Sequence, residues 1–216
     1  AHLHPHPCPK GDTMRKLLVL LGLASLVVAG TAFAQTDPDP DMVGVYIEPG
    51  AITNHAEVGA IGPYDVYLCM TNATAASGVS GWECSIMVTE GVFVLNWGYA
   101  GTAVNALAPP DFAVGLAEPL PWEPSIVLMT MTIGLFAPTP VELTVMAQPI
   151  PSIPGDPAFP AYAAGDDPGD LRSLGYSTGL NADTGEPNVS CVINGVPPFP
   201  IGTDEDTWGG VKNLYR

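Results

Sequence analysis

Three acidic side chains in one short loop are the residues best suited to binding chemistry in this sequence. Asp166, Asp167 and Asp170 lie within five positions, beside Gly165 and Gly169. Carboxylate oxygens on a flexible loop are the ligands that calcium prefers, and calcium takes about six to eight of them. The spacing lacks the alternating acids and final glutamate of an EF-hand, so the alternative is that these acids cap solvated turns. Ca²⁺ is therefore the one candidate cofactor.

Two aromatic residues could stack on a sugar ring. Trp122 stands between Pro121 and Pro124, and Tyr99 follows a predicted strand. Trp82 and Trp97, by contrast, share a face with apolar neighbours in period-two segments and are predicted to be core residues. A carbohydrate-stacking surface would therefore use Trp122 and Tyr99.

The last thirteen residues form a candidate docking segment. Acidic residues precede an apolar set with helical spacing, and two basic residues come late in the segment. This order suits one face of a short helix and its dipole. Residues 204–216 would either close one end of the domain or dock on a partner groove. The docking candidates are Trp208, Val211, Lys212, Leu214 and Tyr215.

Catalytic constellations are missing from the sequence. Beyond residue 34 the single histidine is His55, and there is no nucleophile elbow or phosphate-binding glycine loop. Acidic residues are so frequent that a chance carboxylate pair means little. We therefore predict that the protein is not an enzyme.

Cys69, Cys84 and Cys191 are the cysteines beyond residue 34. An oxidising exterior would permit one disulfide, and Cys69–Cys84 is the favoured pair because the two lie on successive predicted strands. Alternation places Cys69 opposite the apolar face of its strand, which opposes that pairing. The alternative is that all three are small buried apolar residues.

The N-terminal segment predicts export. Residues 14–34 contain a basic start, an apolar run from Leu17 to Ala29 and small residues before Gln35, as in a secretory signal peptide. The apolar run is shorter than the about 20 residues of a membrane-spanning helix. Residues 1–13 are interpreted as an upstream extension, and residues 35–42 as an acidic, proline-rich leader. We expect a secreted or extracytoplasmic protein whose mature chain has no transmembrane anchor.

The chain is strongly acidic. Its formal net charge is −16, and removal of residues 1–34 would leave 21 acidic residues and three basic ones. Such a surface repels phosphate backbones and anionic membranes, so nucleic-acid binding is excluded. Glycine and proline, 24 of each, favour short strands and turns over long helices.

Period-two alternation dominates residues 43–148 and predicts strands. Several strands without intervening helices predict an all-β fold, an antiparallel β-sandwich over residues 43–175. Prolines from Pro149 to Pro160 predict an extended loop packed on the sandwich. Edge strands are predicted at 161–164 and 189–193, within a proline- and glycine-rich C-terminal region that includes a loop-rich extension over 176–203. The strands are predicted at 43–47, 64–71, 81–90, 93–97, 111–116, 125–136 and 140–148. Alternation places Val66, Leu68 and Met70 on one face of strand 64–71. One face of strand 125–136 carries Val127, Met129, Met131, Ile133 and Leu135.

The order of these elements resembles the cohesin-like and carbohydrate-binding-module-like sandwiches, of immunoglobulin-like or jelly-roll type, found in uncharacterised secreted bacterial proteins. The resemblance covers residues 43–175 and the tail. A cohesin-like fold implies docking of a protein through one sheet face, and a carbohydrate module implies an exposed aromatic strip. The strings that carry the resemblance are residues 80–84 (SGWEC), 164–168 (AGDDP) and 208–216 (WGGVKNLYR).

These observations predict a secreted or surface-associated, non-catalytic interaction protein that contacts an extracellular protein through its β-sandwich. The alternative is a carbohydrate-binding module that recognises a polysaccharide. Self-association through unpaired sheet edges stays open as a third hypothesis.

Overall fold

The computed structural model describes residues 38–197, and this range contains thirteen strands and no helix. Residues 147–160 and 177–190 connect strands without forming any of their own. The strands are β1 (Met42–Tyr46), β2 (His55–Ala56), β3 (Gly62–Thr71), β4 (Val79–Val88), β5 (Phe93–Tyr99), β6 (Ala103–Asn105), β7 (Asp111–Leu120), β8 (Ser125–Leu135), β9 (Val141–Met146), β10 (Ala161–Ala164), β11 (Leu171–Ser173), β12 (Gly175–Tyr176) and β13 (Cys191–Ile193).

Two sheets form the predicted sandwich. The five-stranded sheet has the order β12-β1-β3-β8-β5. The eight-stranded sheet has the order β11-β10-β4-β9-β13-β2, with β7 paired to β4 and β6 paired to β7. Both sheets are mixed rather than purely antiparallel, because β12 runs parallel to β1 and β2 runs parallel to β13. These two-residue strands join the sheets from loops, without the hairpin that would impose an antiparallel direction.

Alternating side chains from both sheets meet in one core. Val66, Leu68 and Met70 of β3 are fully buried there. Cys84 and Ile86 of β4 are also buried there, each with 1% of its surface exposed. Strands β10 and β13, which were predicted to be edge strands, are interior instead. β10 lies between β11 and β4, and β13 lies between β9 and β2, so both are covered on two sides.

A β-bulge changes which side chains of β8 face the core. Leu68 pairs with Met129, but the next residue, Cys69, pairs with Val127, so Leu128 is an extra residue on β8. Met129, Met131 and Ile133 are buried in the core as predicted. Val127, predicted on the same face, packs instead against the outer cluster described next.

The predicted Cys69–Cys84 disulfide is absent. The three cysteines of residues 38–197 are free and buried. Cys69 packs with Tyr46 and Ala51 in a small cluster separate from the main core, whereas Cys84 lies in the core itself. The two thiols therefore lie in different layers of the structure. All three cysteines are buried like small apolar residues, which was the alternative prediction.

We expect these three thiols to be unreactive in the native protein. Burial raises the pKa of Cys69 and of Cys191 to about 12 and also raises that of Cys84, so the nucleophilic thiolate is suppressed. Iodoacetamide at pH 8 without reductant should label none of them until urea is added, and peptide mass spectrometry would read each site. Recovery of a Cys69–Cys84 cross-linked peptide would contradict this expectation.

Several predicted features lie outside the described residues. These are the upstream extension 1–13, the signal peptide 14–34, the first part of the leader 35–42, the end of the loop-rich extension 176–203 and the tail helix at 204–216. Within the part of the chain that the structure describes, no helix could span a membrane.

Candidate functional site

β9 and β10 lie end to end along one edge of β4. β9 pairs with residues 85–88 of β4 and β10 with residues 79–83, both antiparallel to it. Residues 147–160 leave the sheet between them as the predicted proline-rich loop. Proline cannot donate a ladder hydrogen bond, which explains why this segment is not part of the strand.

Two sets of contacts attach this loop to the sandwich. The backbone N–H and the hydroxyl of Ser152 donate hydrogen bonds of 2.8 and 2.5 Å to the two carboxylate oxygens of Glu83. Further along, Phe159 stacks on Tyr176 with ring centroids 5.5 Å apart, and the Tyr176 hydroxyl donates to the Ala158 carbonyl oxygen. The loop is thereby held beside the outward face of β4.

The outward face of the eight-stranded sheet contains a groove that runs across the strands. Strand register aligns small residues in the middle of one row and larger apolar residues at its ends. Leu171 and Val104 are 41% and 73% exposed. The row reads Leu171 (β11), Ala163 (β10), Gly81 (β4), Gly115 (β7) and Val104 (β6).

A solvent-open cavity of about 220 Å³ lies over the part of this row from Leu171 to Gly115. The neighbouring row, with Ala161, Glu83 and Ala113, forms one side of it, and Ser152 of the loop covers part of that side. Glycine and alanine leave this space because they carry little or no side chain. A Cβ atom added at Gly115 would meet no atom within 4 Å.

Glu83 is the charged residue of the cavity. It is only 6% exposed, although buried carboxylates are rare unless they are paired. The ion pairs within residues 38–197 are His55–Glu57 and Arg172–Asp170, and neither includes Glu83. The same range holds 17 acidic residues and one arginine, so the field around the groove is negative.

The predicted calcium ligands have separate partners. Asp166 accepts a hydrogen bond from the Ser77 hydroxyl, which lowers the pKa of Asp166, and Asp167 accepts one from the Gly169 N–H. Asp170 binds the guanidinium of Arg172 at 2.6 Å. Among the described residues, no three His, Cys, Asp or Glu side chains converge on a position suited to a metal ion. Calcium binding stays a prediction from sequence, and this geometry does not assemble its ligands.

Arg172 joins that loop to the start of β1 through a hydrogen-bond network. Its guanidinium donates to the Thr74 hydroxyl at 2.9 Å, and Thr74 in turn donates to Asp41. The buried Tyr162 hydroxyl also donates to Asp41, at 2.7 Å. The hydrogen bond to Asp170 raises the pKa of Arg172, and burial raises that of Tyr162. These polar groups form hydrogen bonds with one another, so we interpret the network as structural rather than as a binding site.

The two predicted sugar-stacking residues do not share an environment. Trp122 is 48% exposed, and its indole N–H donates to the Ala73 carbonyl oxygen. Tyr99 is only partly exposed, and its ring lies against Trp82 and Phe112 at centroid distances of 6.4 and 6.3 Å. Trp82 is a core residue, as predicted, and Trp97 packs against the core.

A second apolar surface lies at the edge of the five-stranded sheet. In the described range, β5 pairs with β8 on one side only, so its other edge is unpaired. Phe93 and Phe136, 63% and 65% exposed, form an edge-to-face pair beside Leu95 and Gly134. This is the edge at which the predicted self-association would occur.

The groove residues were not identified from the sequence. Gly81 and Gly115 are separated in the chain by β5, β6 and three connecting loops. In the sequence each is only a glycine within a strand, which weakens the strand and indicates no binding site. A usable signal was present, because glycine or alanine occupies Gly81, Ala113, Gly115, Ala161 and Ala163, all at outward positions of their strands. Only the register could show that these positions are neighbours.

The tail residues Trp208, Val211, Lys212, Leu214 and Tyr215 lie outside the described residues, so their predicted role in docking stays a prediction.

No protein-family model matches this chain, and no curated protein matches it. Solved structures that are similar in fold include a cohesin module from a Clostridium perfringens family 33 glycoside hydrolase, with a TM-score of 0.41, 12% identity and coverage of 62% of this chain and 90% of that one. The sixth cohesin of Acetivibrio cellulolyticus scaffoldin B, solved in complex with a Cel5 dockerin, has a TM-score of 0.45, 7% identity and coverage of 72% and 99%. The third ScaB cohesin of R. flavefaciens, in complex with a group 1 dockerin, has a TM-score of 0.43 and 10% identity. That likeness covers 74% of this chain and 99% of the cohesin. The likeness concerns the β-sandwich alone.

Proposed function

We propose that this protein is a secreted or surface-associated, non-catalytic module that binds a partner protein on the outward face of its eight-stranded sheet. The observation that carries this proposal is the transverse groove between Leu171 and Val104. Its small central residues leave a depression in an otherwise regular sheet face, and its apolar ends are exposed.

The shape of the groove favours a protein over a small molecule. Its cavity of about 220 Å³ is smaller than the about 300–1,000 Å³ of ordinary ligand pockets. A stable protein interface needs about 800 Å² on each partner. A sheet face of five neighbouring strands with one central depression suits a partner that covers the face and inserts a side chain.

Charge favours a basic partner. The described residues hold 17 acidic groups against the single Arg172, whose guanidinium is bound by Asp170. Complementary charge speeds association and excludes wrong partners. The same charge opposes self-association through β5, because two copies would repel each other at low ionic strength.

The chemistry of the described residues supports a binding role over catalysis. Cys69, Cys84 and Cys191 are buried thiols, and the His55 Nε2 atom lies 2.9 Å from the Gly195 carbonyl oxygen. Polysaccharide binding has less support than protein binding, because Trp122 alone of the two predicted aromatics is substantially exposed.

Filling the groove should abolish partner binding without unfolding the protein. Gly115→Leu places a side chain into open space on the strand, so the fold should be retained. We expect capture of a specific extracellular protein by the wild type, and at least a tenfold rise in Kd for Gly115→Leu. Photocrosslinking from position 104, at the exposed end of the groove, followed by mass spectrometry would identify the partner, and calorimetry would measure Kd.

Gly59→Leu is the matched control, because Gly59 also faces open space but lies outside the groove. It should bind the captured partner like the wild type. Equal Kd values for the wild type and Gly115→Leu would contradict docking at this face.

The proposal that the protein is secreted is tested by N-terminal sequencing of the exported protein. The mature chain should begin near Gln35.

A further inference from the structure

We propose that the cavity beside Glu83 receives a lysine side chain of the partner, whose ammonium group pairs with the Glu83 carboxylate. This inference rests on the proposed function, since it names the chemistry that the docking face recognises. It follows from a buried carboxylate, the apolar lining of the cavity beside it and the hydrogen bonds that its two oxygens already accept.

The first observation is the unbalanced charge of Glu83. Removing a carboxylate from water is costly unless a cation or several hydrogen bonds compensate it. Ser152 supplies two hydrogen bonds, but no cationic side chain of residues 38–197 forms an ion pair with Glu83. The arginine of this range is engaged by Asp170 and Thr74. A cation from outside the described sandwich would complete the site.

The second observation is the lining of the cavity. Besides Glu83 and Ser152, the cavity is lined by Gly81, Ala113, Gly115, Ala163 and Leu171. The side chains of these residues are apolar or absent and offer no competing hydrogen-bond groups. A lysine side chain matches this lining, because four methylene groups precede its ammonium and gain free energy on burial.

Lysine fits better than arginine. Each Glu83 oxygen already accepts one hydrogen bond from Ser152. A guanidinium binds a carboxylate best through two parallel hydrogen bonds, one to each oxygen, and the bonds from Ser152 compete with that arrangement. An ammonium is a compact point charge that needs one remaining lone pair. The cavity would therefore discriminate between the two basic side chains.

Glu83 has a structural alternative, namely that it only holds the loop through Ser152. Two variants separate the roles. Glu83→Gln removes the charge and keeps an amide oxygen as a hydrogen-bond acceptor, whereas Ser152→Ala removes the side-chain hydrogen bond and keeps the charge. A purely structural role predicts similar behaviour of the two variants in ligand binding.

The test is an NMR titration of the isotope-labelled protein with Nα-acetyl-lysine N-methylamide. We expect saturable shifts of the Gly81, Ala113, Gly115 and Ala163 amide signals. The norleucine analogue has a similar stem without the charge, and it should bind at least tenfold more weakly. The arginine analogue should also bind more weakly than the lysine compound. The affinity for the lysine compound should fall at least tenfold in Glu83→Gln and less than threefold in Ser152→Ala.

Equal binding of the lysine and norleucine compounds, or unchanged lysine binding in Glu83→Gln, would overturn the proposal. Lys212 of this chain also carries an ammonium group, and the test separates it from the partner's. If Lys212→Gln binds the probe and the wild type does not, the site belongs to the chain itself and the assignment to a partner is wrong.

The two proposals can fail separately. If the probe binds but Gly115→Leu leaves partner binding unchanged, the docking function is wrong while the lysine site stands. If Gly115→Leu abolishes partner binding but the probe causes no shifts, the docking face stands and the lysine assignment alone is wrong.

Discussion

Replacing Phe112 by alanine is expected to lower the free energy of unfolding by about 3–5 kcal/mol. Phe112 is fully buried, and its ring is the centre of an aromatic cluster. The ring centroids of Trp82, Trp97 and Tyr99 lie 5.8, 5.1 and 6.3 Å from that of Phe112. Alanine would leave a cavity among rigid rings that cannot collapse into it, so little of the lost packing would be recovered. Urea unfolding followed by tryptophan fluorescence measures the change.

Phe93→Ala is the matched control for Phe112→Ala. Phe93 is 63% exposed and has one ring contact, with Phe136. Its truncation should cost less than about 1.5 kcal/mol, the upper range for one aromatic pair. If both variants lose the same free energy, Phe112 is not the centre of the core at this end of the sandwich.

Gly78→Ala should be the more damaging of two alanine substitutions at left-handed glycines. Gly78 has a φ of +82°, and an added Cβ would overlap the Leu120 carbonyl oxygen of β7. Relief would require β4 and β7 to move apart where Val79 pairs with Leu120. We expect a loss above about 4 kcal/mol, the range of exceptional single substitutions, measured by urea unfolding.

Gly91→Ala separates the two causes. Gly91 has nearly the same φ, +83°, but no atom lies within 4 Å of its added Cβ. The conformational cost alone is about 1–2 kcal/mol for a residue with a side chain. Equal losses in the two variants would show that backbone conformation, and not the close approach of Leu120, requires glycine at position 78.

Local alternation was a reliable guide to which residues enter the core. Val66, Leu68 and Met70 were predicted on one face of β3, and all three are buried in the main core. The same alternation placed Cys69 on the other face, which is where the structure has it. The predicted disulfide does not form because β3 and β4, although successive in the chain, belong to different sheets, and Cys69 faces away from the core that contains Cys84.

Alternation failed where the backbone departs from a regular strand. The bulge at Leu128 reverses the faces of β8, so Val127 leaves the core although its neighbours fit the pattern. A bulge is produced by pairing with a particular partner strand, here β3. Residues 126–129 of β8 are all apolar, so the sequence of this strand alone does not indicate where the bulge lies.

The amino-acid sequence by itself determined the strand content and the acidity of the surface, because side-chain periodicity and charge are local properties. Tertiary structure alone decided where Glu83, Gly81, Gly115, Ala163 and Leu171 would meet. Their meeting depends on the register of four strands that are distant in the chain, and that register is selected only when both sheets pack on one core. The candidate site is therefore a property of the assembled sheet, while the composition predicted only the acidity of its surroundings.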